Sequence, residues 1–232
     1  MENIMLTLPG NDDYFTQEAY KVLRTNVQFC GKDIKVIVLT SCNENEGKTT
    51  VALHLGRSLA ELGKTVLVID ADMRKSVMAG RNSNAKAPIG LSEVLSGLAD
   101  TEHAVCKTQY PNLNVLFSGK YPPNPVELLG GKYFSALIDE ARKHYDYILI
   151  DTPPLGMVID AAVAANSSDG VLLVIGNPKL KSSLAKEVIS QLEKGGSKIL
   201  GVVRNFIPEN SKSYYYSGKK YRNAYYKPNT SK

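Results

Sequence analysis

The stretch Val36-Ile37-Val38-Leu39-Thr40-Ser41-Cys42-Asn43-Glu44-Asn45-Glu46-Gly47-Lys48-Thr49-Thr50 decides how the rest of the chain is read. Its first four residues are β-branched or aliphatic, the pattern of a strand buried on both faces. That run ends at Thr40 and Ser41, and a short polar loop follows. Beyond the loop, Val51, Leu55, Leu59 and Leu62 recur at helical spacing, so the residues from Lys48 onward open an amphipathic helix.

Strand, tight loop and helix with Gly-Lys-Thr at the hinge is the arrangement of a phosphate-binding loop. Loop N–H groups and a helix N-terminus surround phosphate oxygens with partial positive charge. Gly47 allows close backbone approach, Lys48 reaches the β- and γ-phosphates, and the Thr49 hydroxyl suits Mg2+. Glu46 and Thr50 flank these residues and complete the candidate nucleotide contacts. The pattern G-x-x-x-x-G-K-[ST] asks for glycine at position 42, where this chain has Cys42. The surrounding residues therefore carry part of the reading against an ordinary turn opening an ordinary helix.

They do so through acids. Residues 66–69, Val-Leu-Val-Ile, run into Asp70-Ala71-Asp72-Met73-Arg74, and residues 147–150, Tyr-Ile-Leu-Ile, run into Asp151-Thr152-Pro153-Pro154. Parallel strands deliver ligand chemistry at their carboxyl ends. Asp151 is placed there as a Walker B acid in the metal shell, and Asp70 and Asp72 lie beside the phosphate loop, although one of that pair could simply cap the next turn. Further strands are expected at residues 113–117, 171–175 and 199–203. Helices are expected at 16–29, from Gly90, from Pro125, at 134–144 and at 182–193. Residues 75–88 have the composition of a mobile loop. Asn205, just past the last strand, suits either an adenine edge or a plain turn. Strands alternating with helices give an α/β fold of the P-loop NTPase type, with a doubly wound, mostly parallel sheet flanked by helices.

Among the 232 residues, 43% are hydrophobic, ample for one core over residues 1–208. No apolar run is long enough to span a bilayer, and residues 1–13 do not have the form of a secretory signal. Cys30, Cys42 and Cys106 have no metal-like spacing and read as reduced thiols in a cytoplasmic protein. Residues 209–232 carry six Lys/Arg and one acid, which is the whole net charge of +5, leaving 22 residues of each sign in the rest. The globule therefore has no net basic balance, which speaks against a nucleic-acid partner.

The tail has no aliphatic anchor and is expected to be disordered. It holds Tyr214, Tyr215, Tyr216, Tyr221, Tyr225 and Tyr226, six of the 13 tyrosines in the chain. Phenols on a basic segment suit steering toward an acidic, Mg-ATP-bearing cleft. Each phosphate added contributes about −1.5 to −2 charge, so about three additions cancel the basic balance of the tail. The same composition also suits stacking on RNA or lying on an anionic membrane.

Taken in order, several pieces resemble the bacterial tyrosine kinases of the capsular polysaccharide type, the CpsD/CapB-like autokinases. They are Thr40-Ser41 with Glu46-Gly47-Lys48-Thr49-Thr50, Asp70-Ala71-Asp72-Met73-Arg74, Gly90-Leu91-Ser92, Pro122-Pro123-Asn124-Pro125, Asp151-Thr152-Pro153-Pro154 and the tyrosine cluster. The resemblance covers nearly the whole chain. It implies ATP and Mg2+ as cofactors, with Thr49, Asp72 and Asp151 at the metal, Asp70 as proton acceptor and Arg74 stabilising transferred charge, although Asp70 and Asp72 could exchange roles. It implies a kinase at the inner face of the cell membrane, activated by the cytoplasmic tail of a transmembrane adaptor and countered by a phosphotyrosine phosphatase. It implies a homo-oligomeric ring whose members phosphorylate one another. The family helix pattern Glu-x-x-Arg-x-x-Arg reads here Glu18-x-x-Lys21-x-x-Arg24, and lysine keeps the charge without the bidentate fork. The family loop does not require glycine at position 42. A positioning ATPase of the ParA/MinD type shares the fold but usually has a lysine where this chain has Asn43.

Overall fold

The computed structural model describes residues 1–10, 13–81, 89–176 and 180–207. In chain order, β1 (Glu2–Asn3) and α1 (Tyr14–Phe29) precede β2 (Val36–Ser41), α2 (Lys48–Glu61) and β3 (Val66–Asp70). Two short helices, α3 (Leu91–Leu95) and α4 (Thr101–Ala104), lead to β4 (Val105–Lys107) and β5 (Leu113–Leu116). Then come α5 (Pro125–Leu129), α6 (Lys132–His144), β6 (Tyr147–Asp151), α7 (Asp160–Ala165), β7 (Gly170–Ile175), α8 (Ser182–Lys194) and β8 (Ile199–Arg204).

One sheet runs β1-β4-β5-β3-β6-β2-β7-β8. Its neighbours pair in parallel except β4 with β5, which are antiparallel. The mostly parallel, doubly wound sheet expected from the sequence is therefore the fold. Alternation along each strand feeds two cores. Val36 and Val38 point to the face covered by α3 to α8, whereas Ile37 and Leu39 point to the face covered by α1 and α2. All six residues of β2 and all five of β3 are buried, so the central strands have no solvated face.

Several boundaries differ from the expected ones for local reasons. Helix α1 begins at Tyr14 rather than near Thr16, because Asp13 is its N-cap and accepts from the Thr16 N–H at 2.8 Å. Helix α6 begins at Lys132, two residues before Phe134. Strand β2 continues through Thr40 and Ser41, which pair with Leu173 and Val174 of β7. Residues 75–88, expected as one loop, contain a 3-10 turn at Ala79–Arg81, and residues 82–88 lie outside the described residues. The tail, including Tyr214, Tyr215, Tyr216, Tyr221, Tyr225 and Tyr226, also lies outside them. Among the described residues, no helix is long and apolar enough to cross a membrane.

Candidate active site

Sheet register sets the acids side by side. Asp70 ends β3, Asp151 ends β6, and the two are Cα partners. Strand β2 borders β6 on its other side, with Leu39 level with Asp151, so the phosphate loop leaves the sheet just beyond the acid pair. Asp70 is 1% and Asp151 2% exposed, which makes the edge a closed polar floor rather than a wet rim.

Gly47 caps α2 with φ of 86°, in the left-handed region that favours glycine, and among the described residues no side chain caps the helix. The first-turn N–H groups of this 14-residue helix are left for a ligand. A Cβ at position 47 would stand 2.0 Å from Asn205 Nδ2 and 3.1 Å from the Phe206 ring. The loop thus lies directly on the chain leaving β8. Asn205 Nδ2 donates to the Glu46 carbonyl at 3.1 Å and the Asn205 N–H donates to the Ile175 carbonyl at 2.8 Å.

Glu46, expected among the nucleotide contacts, has its side chain turned inward. Its carboxylate is buried in the loop, where one oxygen accepts from the Cys42 and Asn43 N–H groups, both at 2.9 Å. A negative group facing phosphates would repel them. Turned inward it braces the loop, leaving its main chain as the part that fits a phosphate. Cys42 beneath it is buried, and burial followed by the Glu46 charge pushes its thiol up to about 11, so the thiol stays protonated and unreactive.

Thr49, second residue of α2, donates its hydroxyl to Asp151 Oδ2 at 2.5 Å. Lys48 is 8% exposed, and its charge acts on Asp151. Thr50 follows, half-buried, on the same first turn. Asp70 accepts from the Ser76 hydroxyl through Oδ2 and from the Asp72 N–H at 3.2 Å through Oδ1. Asp72 accepts from the Arg74 and Lys75 N–H groups at 3.3 and 2.9 Å, which makes it the organiser of a tight turn. The alternative of capping the next turn is therefore part of what Asp72 does. Arg74 Nε meets Asp160 Oδ1 at 2.9 Å, and Lys75 Nζ meets Glu44 at 2.9 Å across the mouth.

Burial raises the Asp70 carboxyl to about 8, helped next by the Asp151 charge, while the Ser76 bond opposes the rise. Burial likewise raises Asp151 to about 7, against the Thr49 hydroxyl and the Lys48 charge. Asp151 Oδ1 is also buried with no hydrogen-bond partner among the described residues. Crowded acids with an unused oxygen beside a free helix N-terminus fit a divalent cation. No group of three or more His, Cys, Asp or Glu side chains among the described residues forms a metal cage by itself. Mg2+ sites of this kind use one or two carboxylates and take further ligands from substrate phosphates, so the donor set fits Mg2+ held together with a nucleotide.

The family model described as an AAA domain matches residues 34–194, the span from β2 to α8 that builds this edge. Tyrosine-protein kinase CpsD of Streptococcus agalactiae serotype Ia is 43% identical over 199 residues, 86% of this chain and 86% of that one. The chain belongs to the CpsD/CapB family of bacterial tyrosine-protein kinases. Family likeness extends to three dimensions. The chimerical protein CapA2B2 superposes with a TM-score of 0.79 at 29% identity, covering 90% of this chain and 94% of that one. The septum site-determining protein MinD of Pyrococcus horikoshii, solved with Mg-ADP, gives 0.59 at 30% identity over 73% of this chain and 69% of that one.

In this chain the edge brings Lys48, Thr49, Asp70, Asp72 and Asp151 together, with Asn205 against the loop. Three participants carry no plain sequence signal: Ser76 on Asp70, Glu44 on Lys75, and Asp160 on Arg74. For Asp160 the one available hint is an acid opening the Asp-Ala-Ala run of α7, soon after the strand that ends in Asp151.

Proposed function

We propose that this chain is an ATP-dependent protein-tyrosine autokinase that phosphorylates the tail of a neighbouring copy. The observation that carries the reading is the meeting of Thr49 and Asp151 beneath the phosphate loop, with Asp70 level with Asp151 on the next strand. Membership in a family whose relatives are named tyrosine-protein kinases supports it.

Lys48, the amides of Gly47, Thr49 and Thr50, and the main chain of Glu46 bind the phosphates of ATP. Asn205 borders this loop on the side where the base is held. Mg2+, with Thr49, Asp72 and Asp151 as its holders directly or through water, would supply charge neutralisation for those phosphates. Asp70 orients the incoming phenol and accepts its proton, a task that needs the ionised carboxylate, which the charge of Mg2+ beside it would favour against the burial that raises it. Arg74 offsets charge on the phosphoryl group as it moves. Phosphoryl transfer asks for little covalent chemistry, so positioning and charge stabilisation dominate.

The acceptors are Tyr214, Tyr215, Tyr216, Tyr221, Tyr225 and Tyr226 on a tail spanning 209–232, joined to a kinase domain spanning 1–208. A transmembrane polysaccharide adaptor recruits the chain to the inner face of the membrane through its cytoplasmic tail, and the pairing named in the CapA2B2 chimera supports such a partner. Subunits assemble as a ring through α1, whose Tyr14, Phe15, Val22 and Phe29 are exposed. A phosphotyrosine phosphatase reverses the modification, and the cycle regulates capsular or exopolysaccharide synthesis and export.

The test is to incubate the purified chain with ATP, Mg2+ and the adaptor tail and to map phosphotyrosine by mass spectrometry. Labelling within 214–226 that disappears in Lys48→Met supports the reading, and labelling that persists in Lys48→Met ends it. A MinD-type positioning ATPase, the second reading, would hydrolyse ATP without making phosphotyrosine. Its support is the fold shared with MinD.

A further inference from the structure

Arg74 and Asp160 join two loops that the sheet would otherwise leave independent. Arg74 lies on the segment after β3 that carries Asp70 and Asp72, and Asp160 opens α7 beyond the loop that follows Asp151. The contact runs from Nε to Oδ1 at 2.9 Å over a separation of 86 residues. The Asp160 side chain is 1% exposed and that of Arg74 33% exposed, so the acid belongs to the interior and the guanidinium to the mouth.

We propose that Asp160 positions Arg74 for phosphoryl transfer, a role that rests on the kinase reading above. Asp160 Oδ2 is buried without a hydrogen-bond partner among the described residues, so Arg74 is the cation that balances this carboxylate. Removing one partner of a buried ion pair leaves an uncompensated charge and is strongly unfavourable. That penalty holds Arg74 in place, unlike an exposed pair such as Lys75 with Glu44, which fluctuates at little cost. The anchor is rigid: Ala161, Ala164 and Ala165 bury α7 in the core directly behind Asp160. Among the described residues of its own loop, Arg74 makes a hydrogen bond through its main-chain N–H, to Asp72, whose charge also attracts the guanidinium. The geometry also divides the guanidinium. Nε is used on Asp160, and among the described residues the Nη pair has no hydrogen-bond partner, so it is the part that can take a second anion, the fork that matches a phosphoryl group.

A double-mutant cycle on the full chain tests the assignment, with Mg-ATP and the adaptor tail present and the phosphotyrosine rate measured beside affinity for a fluorescent ADP analogue. Asp160→Asn keeps the shape and removes the charge. It is expected to lower the rate by about tenfold or more in the parent chain and by less than about twofold in Arg74→Ala, with ADP-analogue affinity within about threefold throughout. Asp160→Glu is expected to restore part of the rate. Independently of activity, the Arg74 Nε–H resonance in 15N-labelled protein should be protected from exchange in the parent, lose protection in Asp160→Asn and regain it in Asp160→Glu. Equal losses of rate in both backgrounds would make Asp160 a scaffold residue only and overturn the proposal. An Arg74 signal indifferent to Asp160→Asn would overturn it too. A parent chain that makes no phosphotyrosine would remove the kinase reading alone, because the resonance still decides whether Asp160 holds Arg74.

Discussion

Thr49 and Asp151 are 102 residues apart in sequence and 2.5 Å apart in space, joined by donation from the threonine hydroxyl to Oδ2. The bond is in the short range of charge-assisted O–H···O contacts and links the first turn of α2 to the tip of β6. It places a hydroxyl and a carboxylate side by side at the spot where the donor set fits Mg2+.

Replacing Thr49 by valine keeps the shape and removes the donor. In the parent chain, Mg2+ is expected to tighten ADP binding by about tenfold or more over the same measurement in EDTA. In Thr49→Val that ratio should fall toward one, whereas Thr49→Ser should keep most of it. Isothermal titration with and without Mg2+ reads the difference. A Thr49→Val chain with an undiminished Mg2+ effect would remove Thr49 from the metal site.

The buried acid pair makes a pH prediction. Folding raises Asp70 to about 8 and Asp151 to about 7, above the usual carboxyl range. A carboxyl that binds its proton more tightly when folded contributes stability that is complete below its ordinary pKa and is lost as pH rises toward the folded value. The metal-free, nucleotide-free chain should therefore lose thermal stability from about pH 4 to 8. Asp70→Asn should flatten part of that fall and melt higher at pH 8, by about 2–4 °C for each kcal/mol of relieved strain. Thermal melts of both chains in EDTA across this window check it. Parallel curves for the two chains would contradict it.

Gly47 is held by two constraints at once, its φ of 86° and the 2.0 Å approach that a Cβ would make to Asn205 Nδ2. Gly47→Ala should cost about 1–3 kcal/mol through backbone strain alone, and more through the clash. Adding Asn205→Ala should recover the clash and leave the strain. At Gly201, with negative φ and open space around it, alanine should change stability by less than about 0.5 kcal/mol. Chemical denaturation of the four chains orders these effects. Equal stability of Gly47→Ala and Gly201→Ala would show that the loop tolerates a Cβ.

What could be read in the sequence and what could not follows from how each element is stabilised. Strands β2, β3 and β6 are buried on both faces, so they announce themselves as unbroken apolar runs, and their acids stand out at the ends. Strand β1 has two residues, both exposed, and exists because parallel pairing to Cys106 and Lys107 places it there. Strand β4 is three residues long and is set by antiparallel pairing with β5. Helix α7 is four alanines, one valine and an acid, so it has too little contrast between its faces to show a period. Asp160 went unread for that reason. At the site, residue types marked Lys48, Thr49, Asp70, Asp72 and Asp151. The inward turn of Glu46 was invisible, because the two N–H groups it satisfies are properties of the folded loop.

Transfer between copies is the central claim, and a two-chain experiment tests it most directly. One chain carries Lys48→Met with its tail intact. The other keeps the parent site but has Phe at 214, 215, 216, 221, 225 and 226. Mixed with ATP, Mg2+ and the adaptor tail, they should yield phosphotyrosine within residues 214–226 of the Lys48→Met chain, and none when that chain is incubated alone. Phosphotyrosine absent from the Lys48→Met chain in the mixture, or present on it without the second chain, would contradict the account.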